Sequence, residues 1–164
     1  MNNVKRSILI SLIILLVLMC SCSKPEVADK DKPEEKRKDS FASQVDKNGV
    51  MELSEEFFML QVSDIYVNTE DYSDVTIRVA GIFSYFKGPD GLENIPVVYR
   101  FGPGCCGNDG IVGFMLNFPP DMERPEKDDW IIVEGKAEKK EENVYLKVKA
   151  YEVSDKRGNE YVNH

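Results

Sequence analysis

An all-β domain is predicted over residues 51–164, and three features predict it. Aromatic and β-branched residues dominate a series of short runs, several of which alternate apolar with polar side chains, the period of a half-buried strand. Clusters of Gly, Pro, Asn and Asp separate these runs and supply turns. No run carries a convincing apolar stripe at helical spacing for more than one or two turns, so strands packed on strands are the economical way to bury the apolar residues.

The first strand is expected over residues 57–67, rich in aromatic and β-branched side chains and alternating from Leu60 onward. Residues 68–74 read as a polar turn. Residues 75–86 alternate again, with Val75, Ile77 and Val79 on one face and Gly81 marking a bulge or a tight bend. The Lys87-Gly88-Pro89-Asp90-Gly91 segment closes that strand, and further strands are expected at 95–101, 111–116, 130–138 and 143–153. Residues 119–129, with three prolines and seven charged side chains, form an exposed connection. Trp130 opens an apolar strand and belongs in a core rather than on a ligand platform. The seven tyrosines are scattered, so their spacing singles out no binding face.

The long strands, one of them curved at Gly81, and the run from Asp128 through Trp130 and Gly135 to Glu138 resemble the OB-fold. That fold is a five-stranded Greek-key barrel in which an internal glycine lets one strand bend far enough to pair on two sides. An immunoglobulin-like sandwich is the alternative; it usually needs about seven strands, and five or six are visible here.

Ahead of the domain, residues 1–21 read as a lipoprotein signal peptide. Lys5 and Arg6 precede an apolar run from Ile8 to Met19, which is shorter than the roughly 20 residues that span a bilayer. A small residue must stand directly before the lipidated cysteine. Ser21-Cys22 meets that requirement and Met19-Cys20 does not, so Cys22 is the expected lipid anchor; an uncleaved N-terminal anchor is the alternative. Either way, the rest of the chain is expected on the extracytoplasmic side of the cell membrane. Residues 22–50 carry seven basic and seven acidic side chains with few apolar ones, which reads as a flexible, solvated tether.

Of the 21 basic and 29 acidic residues, two basic ones fall in the signal peptide and the tether is balanced, leaving the domain 12 positive and 22 negative charges, a net of −10. Such a surface opposes phosphate backbones and excludes nucleic acid as an expected partner. Catalysis is not expected either. The one histidine is the terminal His164, so no Ser-His or Cys-His relay is available, and the carboxylates are scattered without a motif that pairs an acid with a base.

The chemistry concentrates in the loop Gly102-Pro103-Gly104-Cys105-Cys106-Gly107-Asn108-Asp109-Gly110. Its adjacent thiols leave three uses open. Cys105, Cys106 and Asp109 can bind a metal ion, zinc above all, because thiolates suit borderline and soft ions and Asp109 adds an oxygen donor. Adjacent side chains on extended backbone face opposite ways, so both sulfurs reach one ion only if the chain turns, which the surrounding glycines allow. Further donors have to come from elsewhere, Asp128 or Asp129 being candidates, or from a second protein. The second use is redox: in an oxidising compartment the pair can close into a strained, labile vicinal disulfide. The third is architectural, one sulfur packed inward as a small hydrophobe and the other held in a turn. Arg100 is expected to orient Asp109 or Glu134 through a bidentate ion pair.

Arg100-Phe101, Cys105-Cys106 with Asp109 three residues on, Gly113-Phe114 and the run Trp130-Ile131-Ile132-Val133-Glu134-Gly135 together resemble the C-terminal domain of the bacterial YcgQ-like proteins. The similarity takes in Phe57, Asn68, Tyr72 and Gly81 and so covers nearly the whole domain. Those proteins are accessory subunits of a proposed two-component permease, and the resemblance implies an accessory role with a part in metal, especially zinc, homeostasis. Family members usually carry transmembrane helices before this domain; here a lipoprotein signal and a tether stand in that place. The expected activity is metal capture or sensing beside a membrane transporter, and the competing class is a metal-free structural or interaction module of the cell envelope.

Overall fold

In a computed structural model of the chain, the described residues are 40–87, 94–104 and 107–162, without the side chains of 107–109. The signal peptide, Cys22, the tether up to residue 39 and both loop cysteines lie outside them. The protein is mostly β. Strands β1 (Val50–Glu52), β2 (Thr76–Phe86), β3 (Ile95–Gly104), β4 (Gly107–Asn117), β5 (Trp130–Lys140) and β6 (Asn143–Val153) form one six-stranded mixed sheet in the order β1-β2-β3-β4-β6-β5. β2 also pairs with β5, so the ladder that leaves β2 through β3 returns to it. The β1–β2 and β4–β6 pairs are parallel and the others antiparallel. No helix among the described residues is long and apolar enough to cross a membrane.

β2 divides its partners near Gly81. Ile77 to Ile82 lie opposite β5, whereas Ile82 to Phe86 lie opposite β3. Of the bulge or tight bend expected at Gly81, the bulge is not there, because neither ladder shifts register at Gly81. The glycine instead permits a close approach: a Cβ at this position would stand 2.7 Å from the Tyr99 carbonyl oxygen. Ile77, Val79 and Phe83 of β2 turn inward against Val98, Phe114, Ile131 and Leu146, forming the centre of the core.

Residues 57–67 do not form the expected strand. Phe58–Val67 is a helix, α1, and its buried residues Phe58, Gln61, Val62 and Ile65 stand at the i, i+3, i+4, i+7 spacing of one helical face. Strand propensity is a weak preference that such a face overrides. The stripe was masked by a polar member, Gln61, and by exposed apolar neighbours, Leu60 and Val67. Gln61 is satisfied locally, its side-chain oxygen accepting the Ser54 N–H at 2.8 Å, while the Ser54 hydroxyl accepts the Phe57 N–H at 3.1 Å. The polar turn that follows is a 3-10 helix, Thr69–Tyr72. It plants Tyr72 in the core with its hydroxyl donating to the Asp64 carboxylate.

Structure also begins before Met51. Within the segment expected as tether, Phe41–Ser43 form a 3-10 turn capped by the Ser40 hydroxyl, and the Phe41 ring lies 6.5 Å from that of Phe57. The Asp46 carboxylate accepts the N–H groups of Val50 and Asn48 at 2.9 and 2.7 Å, which holds its pKa below the usual carboxylate value and closes the turn that launches β1. This short segment is fixed both by the side-chain caps of Ser40 and Asp46 and by the packing of Phe41 and Ala42 against the core.

Candidate functional site

β3 and β4 form the hairpin that bears the cysteines. Their register runs from Val97↔Met115 to Gly102↔Gly110 and, after a shift at Pro103, to Gly104↔Gly107. Gly104 and Gly107 pair antiparallel, and only Cys105 and Cys106 separate them in sequence. The two thiols lie outside the described residues; Asp109 sits on β4, its side chain likewise outside them. Backbone packs tightly along this hairpin: a Cβ on Gly110 would stand 2.5 Å from the Pro103 carbonyl oxygen.

The far edge of β3 is closed by the C-terminal segment. The Phe101 N–H donates to the Glu160 carbonyl and the Val162 N–H to the Phe101 carbonyl, both at 2.8 Å. This is a parallel bridge between Phe101 and Tyr161, whose rings stack with centroids 5.3 Å apart. Val162 is buried, and Arg157 ties the segment back by pairing with Glu160 at 2.5 Å and donating to the Asp128 carbonyl. Phe86, Tyr99, Phe101 and Tyr161 continue as a ladder of rings spaced 5.1 to 5.4 Å apart. Burial raises the Tyr99 pKa above its ordinary value. Beside that ladder, Tyr66, Phe86, Tyr99, Ile111 and Met115 wall an apolar groove of about 190 Å3 along Gly113. The Tyr66 hydroxyl donates to the Gly113 carbonyl at 3.1 Å.

Arg100 does not orient Glu134. Its side chain is only 1% exposed, with Nε donating to the Ala80 carbonyl at 2.8 Å and Nη1 to the half-exposed Glu55 carboxylate at 2.7 Å. Its guanidinium lies 4.4 Å from the Phe58 ring centroid and 5.2 Å from that of Trp130. Inside a small core, a planar, weakly hydrated cation between two rings is stabilised by the ring quadrupoles as well as by its carboxylate. Glu134 pairs with Arg78 on the outside, at 2.6 Å, and Arg78 also reaches Glu152 at 2.8 Å. The Glu134 hydrogen bond is the main cause that raises the Arg78 pKa. The sequence marked Arg100 but not its partner, because Glu55 lies 45 residues away on a segment misread as leading into a strand.

Trp130 is buried at the start of β5, and Gly135 lies at the register shift between β5 and β6, where a Cβ would stand 2.5 Å from the Lys147 carbonyl oxygen. Asp128 and Asp129 are not brought to the cysteine hairpin. Their backbones pair with Phe83 of β2, and the Asp129 carboxylate accepts the Glu126 N–H at 2.9 Å. Among the described residues no cluster of three or more His, Cys, Asp or Glu can hold a metal ion.

No curated protein matches the chain. Residues 28–164 match the family model for the DUF1980 C-terminal domain, a result in keeping with the likeness to YcgQ-like proteins carried by the cysteine loop and the Trp130 strand. The chain belongs to the DUF1980 C-terminal domain family.

Proposed function

We propose that the protein is a noncatalytic binding domain, held by lipid on Cys22 at the extracytoplasmic face of the cell membrane, that captures or senses zinc through Cys105, Cys106 and Asp109 as accessory to a membrane transporter. The observation that carries this reading is the Gly104↔Gly107 pairing. Two thiols on straight backbone face apart; a reversal across them is the condition for one ion to collect both. The barrel reading is supported by the return of the β2-β3-β4-β6-β5 ladder to β2 and by the parallel β4–β6 pair. In OB-like barrels the second and third strands form the usual ligand face; on this reading, which sets the three-residue β1 aside, β3 and β4 correspond to them.

Zinc titration of the full chain in detergent, followed by native mass spectrometry beside a Cys105→Ser/Cys106→Ser variant, tests the metal reading. One zinc per chain in the wild type and none in the variant supports it; equal binding in both removes it. For the anchor, Cys22→Ser should abolish incorporation of labelled fatty acid.

A second reading has its own observation. The apolar groove beside Ile111, which is 52% exposed, suits an apolar side chain of an envelope partner, with the cysteines serving architecture or a labile disulfide. A photo-crosslinking residue at Ile111 that captures one envelope protein equally from the wild type and the cysteine variant would favour this reading.

A further inference from the structure

A helix on the surface of a domain turns charged side chains to water opposite its buried face, and α1 does not. Asp64 is the one charged residue among its ten, and that carboxylate is engaged by Asn68 at 2.5 Å and by the Tyr72 hydroxyl. With 3.6 residues per turn, the face opposite Phe58, Gln61, Val62 and Ile65 is made by Leu60, Ser63 and Val67, at i, i+3 and i+7. Leu60 is 59% exposed and Val67 76%, the most of any large apolar side chains among the described residues. Met59 and Tyr66 carry the apolar surface over the flank toward β4, where the Tyr66 hydroxyl meets the Gly113 carbonyl.

The charge around this stripe has one sign. Residues 51–74 include seven acidic side chains and no Lys or Arg. Two of the seven, Glu56 and Glu70, are exposed and stand just before and just after α1, so a carboxylate lies beyond each end of the apolar stripe. An anionic lipid headgroup would be repelled at both ends. A protein segment with apolar residues in its middle and Lys or Arg toward its ends complements both the stripe and the carboxylates.

We propose that the outward face of α1 docks a basic amphipathic helix of a partner protein, whose apolar residues cover Leu60 and Val67 and whose cations pair with Glu56 and Glu70. Side chains spaced three and four apart form the ridges on which a second helix packs, its axis about 8–10 Å away. Covering Leu60 and Val67 supplies most of the affinity, and the carboxylates set the sign of the partner and hasten its approach. The proposal depends neither on the zinc reading nor on the occupant of the Ile111 groove.

The test places a photo-crosslinking residue at Val67 of the full chain in phosphatidylcholine vesicles. The probe is a labelled peptide of Leu and Lys patterned as an amphipathic helix. The chain should capture this peptide, and should capture a twin with Glu in place of Lys at least about tenfold less, because like charges then meet across the interface. Leu60→Gln should cut capture by at least about tenfold, the value of covering one leucine. Glu56→Gln/Glu70→Gln should cut it about fivefold, the value of exposed ion pairs. These substitutions lie at exposed positions, so an unchanged denaturation midpoint separates lost docking from lost fold. Capture indifferent to either substitution, or equal capture from a crosslinker at Val153 on β6, would reduce the contact to attraction by the acidic exterior and overturn the proposal. Crosslinking of Val67 to phospholipid with no peptide captured would assign the face to a lipid surface and overturn it as well.

Discussion

Within five residues, β3 passes between two contrasting environments. At Arg100 it contributes a fully buried cation that reaches the β2 backbone at Ala80, the carboxylate of Glu55 ahead of α1, and the rings of Phe58 and Trp130. From Phe101 onward its contacts are chiefly backbone: hydrogen bonds at Phe101 to the C-terminal segment, then glycines paired across to β4. Arg100 is committed to holding four elements together and has little freedom for ligand chemistry. The described contacts of the hairpin end are backbone pairings between β3 and β4 and hydrogen bonds from Phe101 to the C-terminal segment.

The contrast predicts that the largest effect will come from Arg100. Arg100→Ala removes a buried charge whose carboxylate, carbonyl and ring partners are all in place, and should lower the unfolding free energy by about 3 kcal/mol. Urea denaturation followed by tryptophan fluorescence reads this directly, since Trp130 lies against the guanidinium. Arg100→Lys should rescue little, because an ammonium cannot serve Ala80 and Glu55 together while lying flat between rings. A loss below about 1 kcal/mol, the range of an exposed ion pair, would break the contrast by showing Arg100 to be dispensable.

Gly113→Ala comes next. Its Cβ would fall 2.0 Å from the Val98 carbonyl oxygen, so β3 and β4 must separate to admit it, and overpacking of this kind costs about 2 kcal/mol. Chemical denaturation should show the loss, and metal affinity should fall with it if the hairpin register sets the site. Unchanged affinity in a destabilised variant would show that the hairpin end tolerates movement in the middle of the ladder.

The interior should also register at alkaline pH. Burial, with the hydrogen bond to Asp64 adding to it, raises the Tyr72 pKa well above its ordinary value of 10.0. A group whose pKa is raised on folding stabilises fully below its unfolded value and loses that contribution as pH rises toward the folded one. Between pH 10 and 11 the unfolded chain ionises at Tyr72 while the folded one does not, so stability should fall by about 1.4 kcal/mol by pH 11 on this account. Denaturation midpoints across pH 8 to 11 should slope less in Tyr72→Phe; equal slopes would assign the alkaline loss to other tyrosines.

The strands were legible where the period-2 pattern coincided with real burial. The first half of the run from Thr76 shows this, with Ile77 and Val79 buried between half-buried neighbours, whereas the Trp130 strand was legible as a continuous apolar run. α1 was hidden because its inward face includes Gln61 while Leu60 and Val67 point outward, so neither count of apolar residues nor alternation exposed the helical face. Ser54 was the available signal, a hydroxyl three residues before the helix entry with acidic neighbours Glu55 and Glu56. For the site, sequence identified the hairpin loop and Arg100. It could not pair Arg100 with Glu55, nor see that the C-terminal segment runs beside β3, because both contacts join residues far apart in the chain and carry no local pattern.

The smallest expected change in stability belongs to Cys105→Ser/Cys106→Ser in metal-free, reducing buffer. The Gly104↔Gly107 pairing and the Phe101 hydrogen bonds are backbone contacts, and Val162 is buried. Substitutions that touch no core packing or hydrogen-bond network stay within about 0.5 kcal/mol, and the metal reading expects the same of this variant. With zinc added, only the wild type should gain stability, in proportion to the logarithm of free zinc above the dissociation constant. A variant that loses several kcal/mol without metal would show that the sulfurs pack as part of the core. In that case the hairpin end and the Arg100 interior would be one structural unit, and the metal reading would lose its physical basis.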